Sequence, residues 1–223
     1  MAQIEKNTLQ FLRELKENNH RPWFQQHKPR YETGRDNVKS FLNVLEMEMN
    51  KTDDIEGSKL FRIYRDVRFS KDKTPYKSSF SMFLIRRKPD LRGGYYVKIG
   101  ADEGFIGCGF WRPNSADLKL IREHIASDAG ELRKIISEKK FVNTFETLDG
   151  DQVKTAPKGY SKDHPAIDLL RYKQFLVSKK YSIKEVSSAN FVKAVVKDFQ
   201  AIRPFFNYMS YILGHDLDGV PLY

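Results

Sequence analysis

Between positions 60 and 111 apolar residues recur at every second position in four runs, 60–69, 79–87, 94–100 and 104–111. Period two marks strands whose side chains alternate between faces. The runs are separated by short connections. Such connections suit antiparallel neighbours, whereas a parallel crossover takes about a dozen residues or more. An antiparallel meander of about four strands is therefore expected. Apolar residues fall on both faces of the later runs, with Phe80, Met82 and Leu84 set against Phe83 and Ile85, and Tyr95, Val97 and Ile99 set against Tyr96. Helices are expected to cover part of both faces.

The flanking segments carry helical periodicity. Leu9, Phe11, Leu12 and Leu15 form a stripe on a helix over 7–18, with Asn7 as its cap and Gln10 three residues on. Pro22 is expected at the first position of a short second helix, and Pro29 at the start of a longer one that buries Phe41, Leu42, Leu45 and Met49. After the fourth run, Asn114 or Ser115 caps a helical arm with Leu118, Ile121, Ile125 and Leu132, broken near Gly130. A turn-rich stretch, a short helix over 166–171 and an edge strand within "KQFLVSKKYS" come next. Two further helices follow, the last opened by Pro204 in "PFFNYMSYIL". No repeat, low-complexity tract or linker interrupts the pattern, so residues 1–223 are read as a single α+β domain, the sheet packed with several helices.

With 40% hydrophobic and 13% aromatic residues in 223, the chain has ample material for a core. A single cysteine, Cys108, excludes an intrachain disulfide framework and a multi-cysteine zinc site, so a reducing, cytoplasmic compartment is expected. The amino-terminal residues show no apolar h-region, and no run of about 18 apolar residues occurs anywhere, so neither secretion nor membrane spanning is expected. The five histidines show no ligand spacing; no metal site is expected, and no motif identifies a cofactor. Lys and Arg (39) exceed Asp and Glu (29), for a formal charge of +10, which directs attention to anionic partners.

The charge is concentrated in "FRIYRDVRFSKDKTPYK", residues 61–77, where six cations meet two carboxylates. On a strand, Phe61, Ile63, Arg65, Val67 and Phe69 share one face and Arg62, Tyr64, Asp66 and Arg68 the other. The second face can hold a planar anion by paired guanidinium hydrogen bonds, with Asp66 orienting an arginine. Burying Arg65 among apolar neighbours requires a carboxylate or a bound anion. The continuation adds Lys71, Lys73 and Lys77, the hydroxyls of Ser70, Thr74 and Tyr76, and the stiffening ring of Pro75. Arg62, Arg65, Arg68, Ser70, Lys71, Lys73 and Lys77 are the candidate ligand-binding residues; Asp66, Asp72 and Tyr76 are the candidates for proton transfer. The competing account has Asp66 and Asp72 paired with the arginines to tie a loop down. Two carboxylates cannot neutralise six cations.

Five stretches, "FLRELKENNHRPWFQQHKPRYE", "FRIYRDVRFSKDKTPYK", "GGYYVKIG", "GFIGCGFWRP" and "KTAPKGYSKDHPAIDLLRYK", resemble the successive motifs of the bacterial and fungal family called domain of unknown function 2461. The resemblance covers nearly the whole chain, and "RDVRFSKDKTPYK" is its most specific part. It implies no activity. It marks Arg65, Asp66, Arg68, Ser70, Lys71, Asp72, Lys73, Pro75, Tyr76 and Lys77 as the positions to test first.

Other stretches have plainer readings. Trp23 and Phe24, amid Arg21, His27, Lys28 and Arg30, could stack bases as in single-strand binders, but large aromatics near a helix start are expected to anchor a core. Gly107 and Gly109 are expected to permit close backbone approach rather than to cradle phosphate, and Cys108 to be a small packing residue. "RRKPDLR", residues 86–92, is read as a solvated cationic turn. The reading that follows is a protein that binds a phosphorylated or otherwise anionic small molecule beside the first strand; the residues do not distinguish a binder from an enzyme. A nucleic-acid-binding module remains an alternative. So does a non-catalytic scaffold, with "PFFNYMSYIL" docking a partner or forming a homodimer.

Overall fold

A computed structural model describes residues 2–68 and 70–222. Helices α1 (Lys6–Glu17), α2 (Arg21–Gln26) and α3 (Lys28–Met49) lead into strand β1 (Ile55–Leu60), followed by β2 (Ser79–Arg86), β3 (Gly94–Gly100) and β4 (Glu103–Phe110). Four helices, α4 (Ser115–Ser127), α5 (Gly130–Ser137), α6 (Lys139–Phe145) and α7 (Ile167–Leu170), precede β5 (Phe175–Ser182). Then come α8 (Ile183–Val186), α9 (Phe191–Ala201) and α10 (Arg203–Gly214). The strands form one antiparallel sheet in the order β1-β2-β3-β4-β5. The protein is therefore α+β, and the expected meander carries a fifth strand at its edge, where "KQFLVSKKYS" suggested one. No helix among the described residues is long and apolar enough to cross a membrane.

The chain divides into two compact units: Met1–Ile85, Tyr96–Ile106 and Lys180–Lys197 form one, and Arg86–Tyr95, Gly107–Lys179 and Asp198–Tyr223 the other. In the first, α1 packs on α3 and α3 on β1. The stripe of Leu9, Phe11, Leu12 and Leu15 is buried, as are Phe41, Leu42, Leu45 and Met49. Asn7 is not the cap of α1; Glu5 occupies that place without a side-chain bond. Its amide donates instead to Oδ1 of Asn37 on α3, which also accepts the Thr8 hydroxyl. A tertiary partner has displaced the local cap.

In the second unit α10 packs against α4 and α5. Phe205, Phe206, Met209 and Ile212 are buried, so "PFFNYMSYIL" supplies core; of its aromatics Tyr211 is the exposed one. The turn reading of residues 86–92 requires correction. Arg86 ends β2 at 1% exposure, with its guanidinium donating to the Arg92 carbonyl (2.8 Å) and lying 5.0 Å from the Phe206 ring centroid. Arg92 is ion-paired with Asp117. A guanidinium can be buried in this way because its fork of donors can be shared among carbonyl, hydroxyl and ring partners.

Cys108 is buried, and its thiol is pushed well above its ordinary value by that burial, with Asp198 adding to the effect. It is an inert packing group. Beside it Gly109 sits at φ +130°, and a Cβ there would lie 2.1 Å from the Phe175 carbonyl oxygen. The glycine thus allows close approach of backbone to backbone. Gly109→Ala is expected to destabilise the fold by about 2–4 kcal/mol through strain and overpacking. Gly57→Ala, where a Cβ meets nothing within 4 Å, should stay within about 0.5 kcal/mol of the parent in urea denaturation.

Candidate functional site

The run expected to form the first strand begins β1 five residues earlier and leaves the sheet after Phe61, whose amide still donates to Ser81 (2.9 Å). β1 reads "IEGSKL", with little alternation, because an edge strand need not present an apolar face throughout its length. From residue 62 onward the segment pairs with its own continuation. Tyr64 and Tyr76 form an antiparallel bridge, Arg65 N–H donates to Pro75 (2.9 Å), and Lys77 N–H to Ile63 (2.8 Å). The alternation survives outside the sheet: Arg62, Tyr64, Asp66 and Arg68 are exposed, Ile63 is buried, and Arg65 and Val67 are half-buried. Phe69, expected on the inner face, lies outside the described residues.

A side chain from elsewhere holds this hairpin. The Asn19 amide accepts from Tyr76 N–H (3.1 Å) and donates to Tyr76 O (2.9 Å), replacing the two bonds a neighbouring strand would make. Asn19 lies in the short link between α1 and α2, 57 residues away in sequence. The Tyr76 ring, 2% exposed, stacks on Phe24 at 4.0 Å between centroids and 14° between planes. Phe24 is fully buried, whereas Trp23 is half-buried between Phe11 (5.9 Å) and His27 (4.1 Å). His27 ends α2 and holds the Trp23 carbonyl through Nδ1 (2.8 Å). The aromatic-basic stretch near Trp23 and the basic segment, two features of the sequence, are thereby one structure.

Both carboxylates of the segment are engaged. Asp66 receives a two-pronged bond from Arg68, Nε to Oδ1 at 3.0 Å and Nη2 to Oδ2 at 2.7 Å, together with the Arg68 amide. These bonds hold its carboxyl at about 2. Such a carboxylate is fully ionised at neutral pH and a weak base. Asp72 accepts the hydroxyl (2.7 Å) and amide (2.9 Å) of Thr74 and pairs with Arg65 at 3.0 Å. Its pKa is lowered, with the Thr74 hydroxyl the largest cause and Arg65 a lesser one. The turn at Thr74 therefore matters more to this carboxylate than the ion pair. Burial raises the Tyr76 hydroxyl above its ordinary range.

The cations are not equally served. Arg65 also donates to the Tyr76 carbonyl (3.4 Å), but its buried Nε makes no hydrogen bond among the described residues. Lys73 donates to the Val67 carbonyl (2.9 Å) and Lys77 to the Arg62 carbonyl (3.3 Å). Arg62 and Lys71 make no ion pair among the described residues, and the half-buried Ser70 hydroxyl makes no hydrogen bond there. The Lys77 ammonium is pulled below its ordinary value, chiefly by burial and then by Arg62 and Arg65. Positive charge is crowded at Lys77. Among the described residues no three His, Cys, Asp or Glu side chains gather to hold a metal.

Asn19→Ala leaves the Tyr76 N–H without a partner and its C=O with Arg65 alone, and should cost about 2 kcal/mol in urea denaturation, with accelerated hydrogen exchange at the Tyr76 amide. Asp66 has its pKa depressed from 3.8, so the stabilisation from its pairing is complete above about pH 4 and is lost as pH falls toward 2. A carboxyl carbon titration should place its midpoint near 2, and Arg68→Ala should return it toward 3.8.

No curated protein and no solved structure gives a match to this chain. Residues 7–208 match a family model described as conserved hypothetical protein (DUF2461). That span takes in all but the first residue of α1, the Asn19 link, the whole basic segment and the sheet, so the resemblance drawn from five separate stretches extends through the site, and the chain belongs to the DUF2461 family.

Proposed function

We propose that the hairpin of residues 61–77 binds a phosphorylated or otherwise anionic small molecule, held by Arg62, Lys71 and Lys77 with Arg65 and Lys73 at its margin. The carrying observation is the crowding at Lys77, whose ammonium rests on the Arg62 carbonyl (3.3 Å) with burial and the Arg62 and Arg65 guanidinium groups disfavouring its charge, while Asp66 and Asp72 pair with Arg68 and Arg65 rather than with Lys77. An anion relieves that repulsion, which the Arg65–Asp72 pair and the attraction between Asp66 and Arg62 offset only in part, and this favours binding over a purely structural role. The salt links of Asp66 and Asp72 support the competing account only in part. They tie the loop and leave four of its six cations without a carboxylate of the segment. Asp66, held at about 2, Asp72, whose pKa is also lowered, and Tyr76, raised by burial, are poorly suited to proton transfer near neutrality, so the reading is of binding first.

Ribose 5-phosphate in excess should raise the thermal unfolding midpoint, by mass action on the folded state. Arg62→Ala/Lys77→Ala should weaken its affinity by about tenfold or more, as expected for the loss of two charge-assisted contacts. A control at the exposed Lys119, Lys119→Ala, should bind as the parent does. Equal affinity of the parent and the Arg62→Ala/Lys77→Ala protein would refute the proposal.

A further inference from the structure

Tyr64 stands on the exposed face of the hairpin with 44% of its surface in solvent. Its ring is backed by two others, Tyr76 at 5.4 Å and Phe24 at 5.9 Å between centroids. The backing is firm, because Tyr76 and Phe24 are themselves stacked and the Tyr76 backbone is held on both sides by Asn19. A large ring held this way has little freedom left to lose when another ring lies against it. Arg62 and Arg68 stand on either side of it on the same exposed face, and Arg62 is two residues away, about 7 Å along an extended chain. The Arg62 carbonyl is in turn where the Lys77 ammonium rests. Arg21 also lies close enough to Tyr76 to act on its hydroxyl, which adds a further cation around the aromatic cluster.

Resting on the anion-binding reading above, we infer that the ligand carries a planar ring next to its phosphate and is a nucleoside 5′-phosphate, free or as the unit of a single strand. Tyr64 is the stacking platform, and Arg62 with Lys77 receives the phosphate. A base laid on Tyr64 places its 5′-phosphate one sugar away, a reach comparable with the separation of Tyr64 and Arg62 along the hairpin. A sugar phosphate uses the cations and leaves the ring in water. Stacking on an exposed aromatic tolerates any base, so the site distinguishes nucleotides from sugar phosphates better than one nucleotide from another.

Calorimetric titration of the full chain with AMP, ribose 5-phosphate and inorganic phosphate tests this. AMP should bind about tenfold more tightly than ribose 5-phosphate, the size expected for one base stacked on one aromatic ring. Tyr64→Ala should remove that preference while leaving ribose 5-phosphate affinity and the circular dichroism spectrum unchanged, and Tyr64→Phe should keep it. An adenylate octamer in the same titration separates the two sources. Tighter, Tyr64-dependent binding of the octamer than of AMP identifies a strand, and equal binding a free nucleotide. Equal affinity for AMP and ribose 5-phosphate, or a preference that survives Tyr64→Ala, overturns the inference and leaves the anion site standing. Binding of none of the three probes overturns both.

Discussion

A chain segment that leaves a sheet must still find partners for its peptide groups, and the basic segment does so in two ways. Residues 63–65 exchange bonds with 75–77, and the Asn19 amide takes both the N–H and the C=O of Tyr76. Each of these groups, if orphaned in a part-buried place, costs about 1–3 kcal/mol. That requirement ties the hairpin to itself and to the link between α1 and α2. The placing of Lys77 and the backing of the Tyr64 ring by Tyr76 follow from it.

Holding the backbone also determines how charge is distributed. Arg68 meets Asp66 two residues away, and Asp72 turns back on Thr74, so both acids are satisfied within the loop. Such exposed pairs add little stability in themselves, since solvent screens them. Their effect is on composition of the surface: Asp66, on the same face, is bound to Arg68, and Asp72 to Thr74 and Arg65, so beside Tyr64 it is Arg62 that makes no ion pair among the described residues. The inner residues do different work. Ile63 and Tyr76 anchor the hairpin by burial, the term that contributes most to holding any segment against its unit.

Much of this was legible in the sequence. The stripe of α1, the buried face of α3 and the helices with Asn114 and Pro204 near their starts appeared where periodicity placed them, because helical spacing is a local property. The alternation over residues 62–68 was real, and it correctly separated Arg62, Tyr64, Asp66 and Arg68 from Ile63. Its assignment to a sheet strand was not correct, because period two reports which side of an extended chain meets the core and says nothing about what pairs with its backbone. The Asn7 cap and the solvated turn at Arg86 missed for a related reason: Asn37 and the carbonyl of Arg92 are partners that a reading of neighbouring residues does not weigh.

The sequence by itself determined that the chain is α+β, where most of its helices and strands lie, and that residues 61–77 carry four more cations than carboxylates. Those are matters of period and count. Only the tertiary structure decided that Asn19, Phe24 and Tyr76 meet, that Tyr64 is left with an open face, and which cations lack an internal acid. Hydrogen bonds and ring contacts act over a few ångströms, so a pairing across 57 residues exists only once the fold has closed that distance.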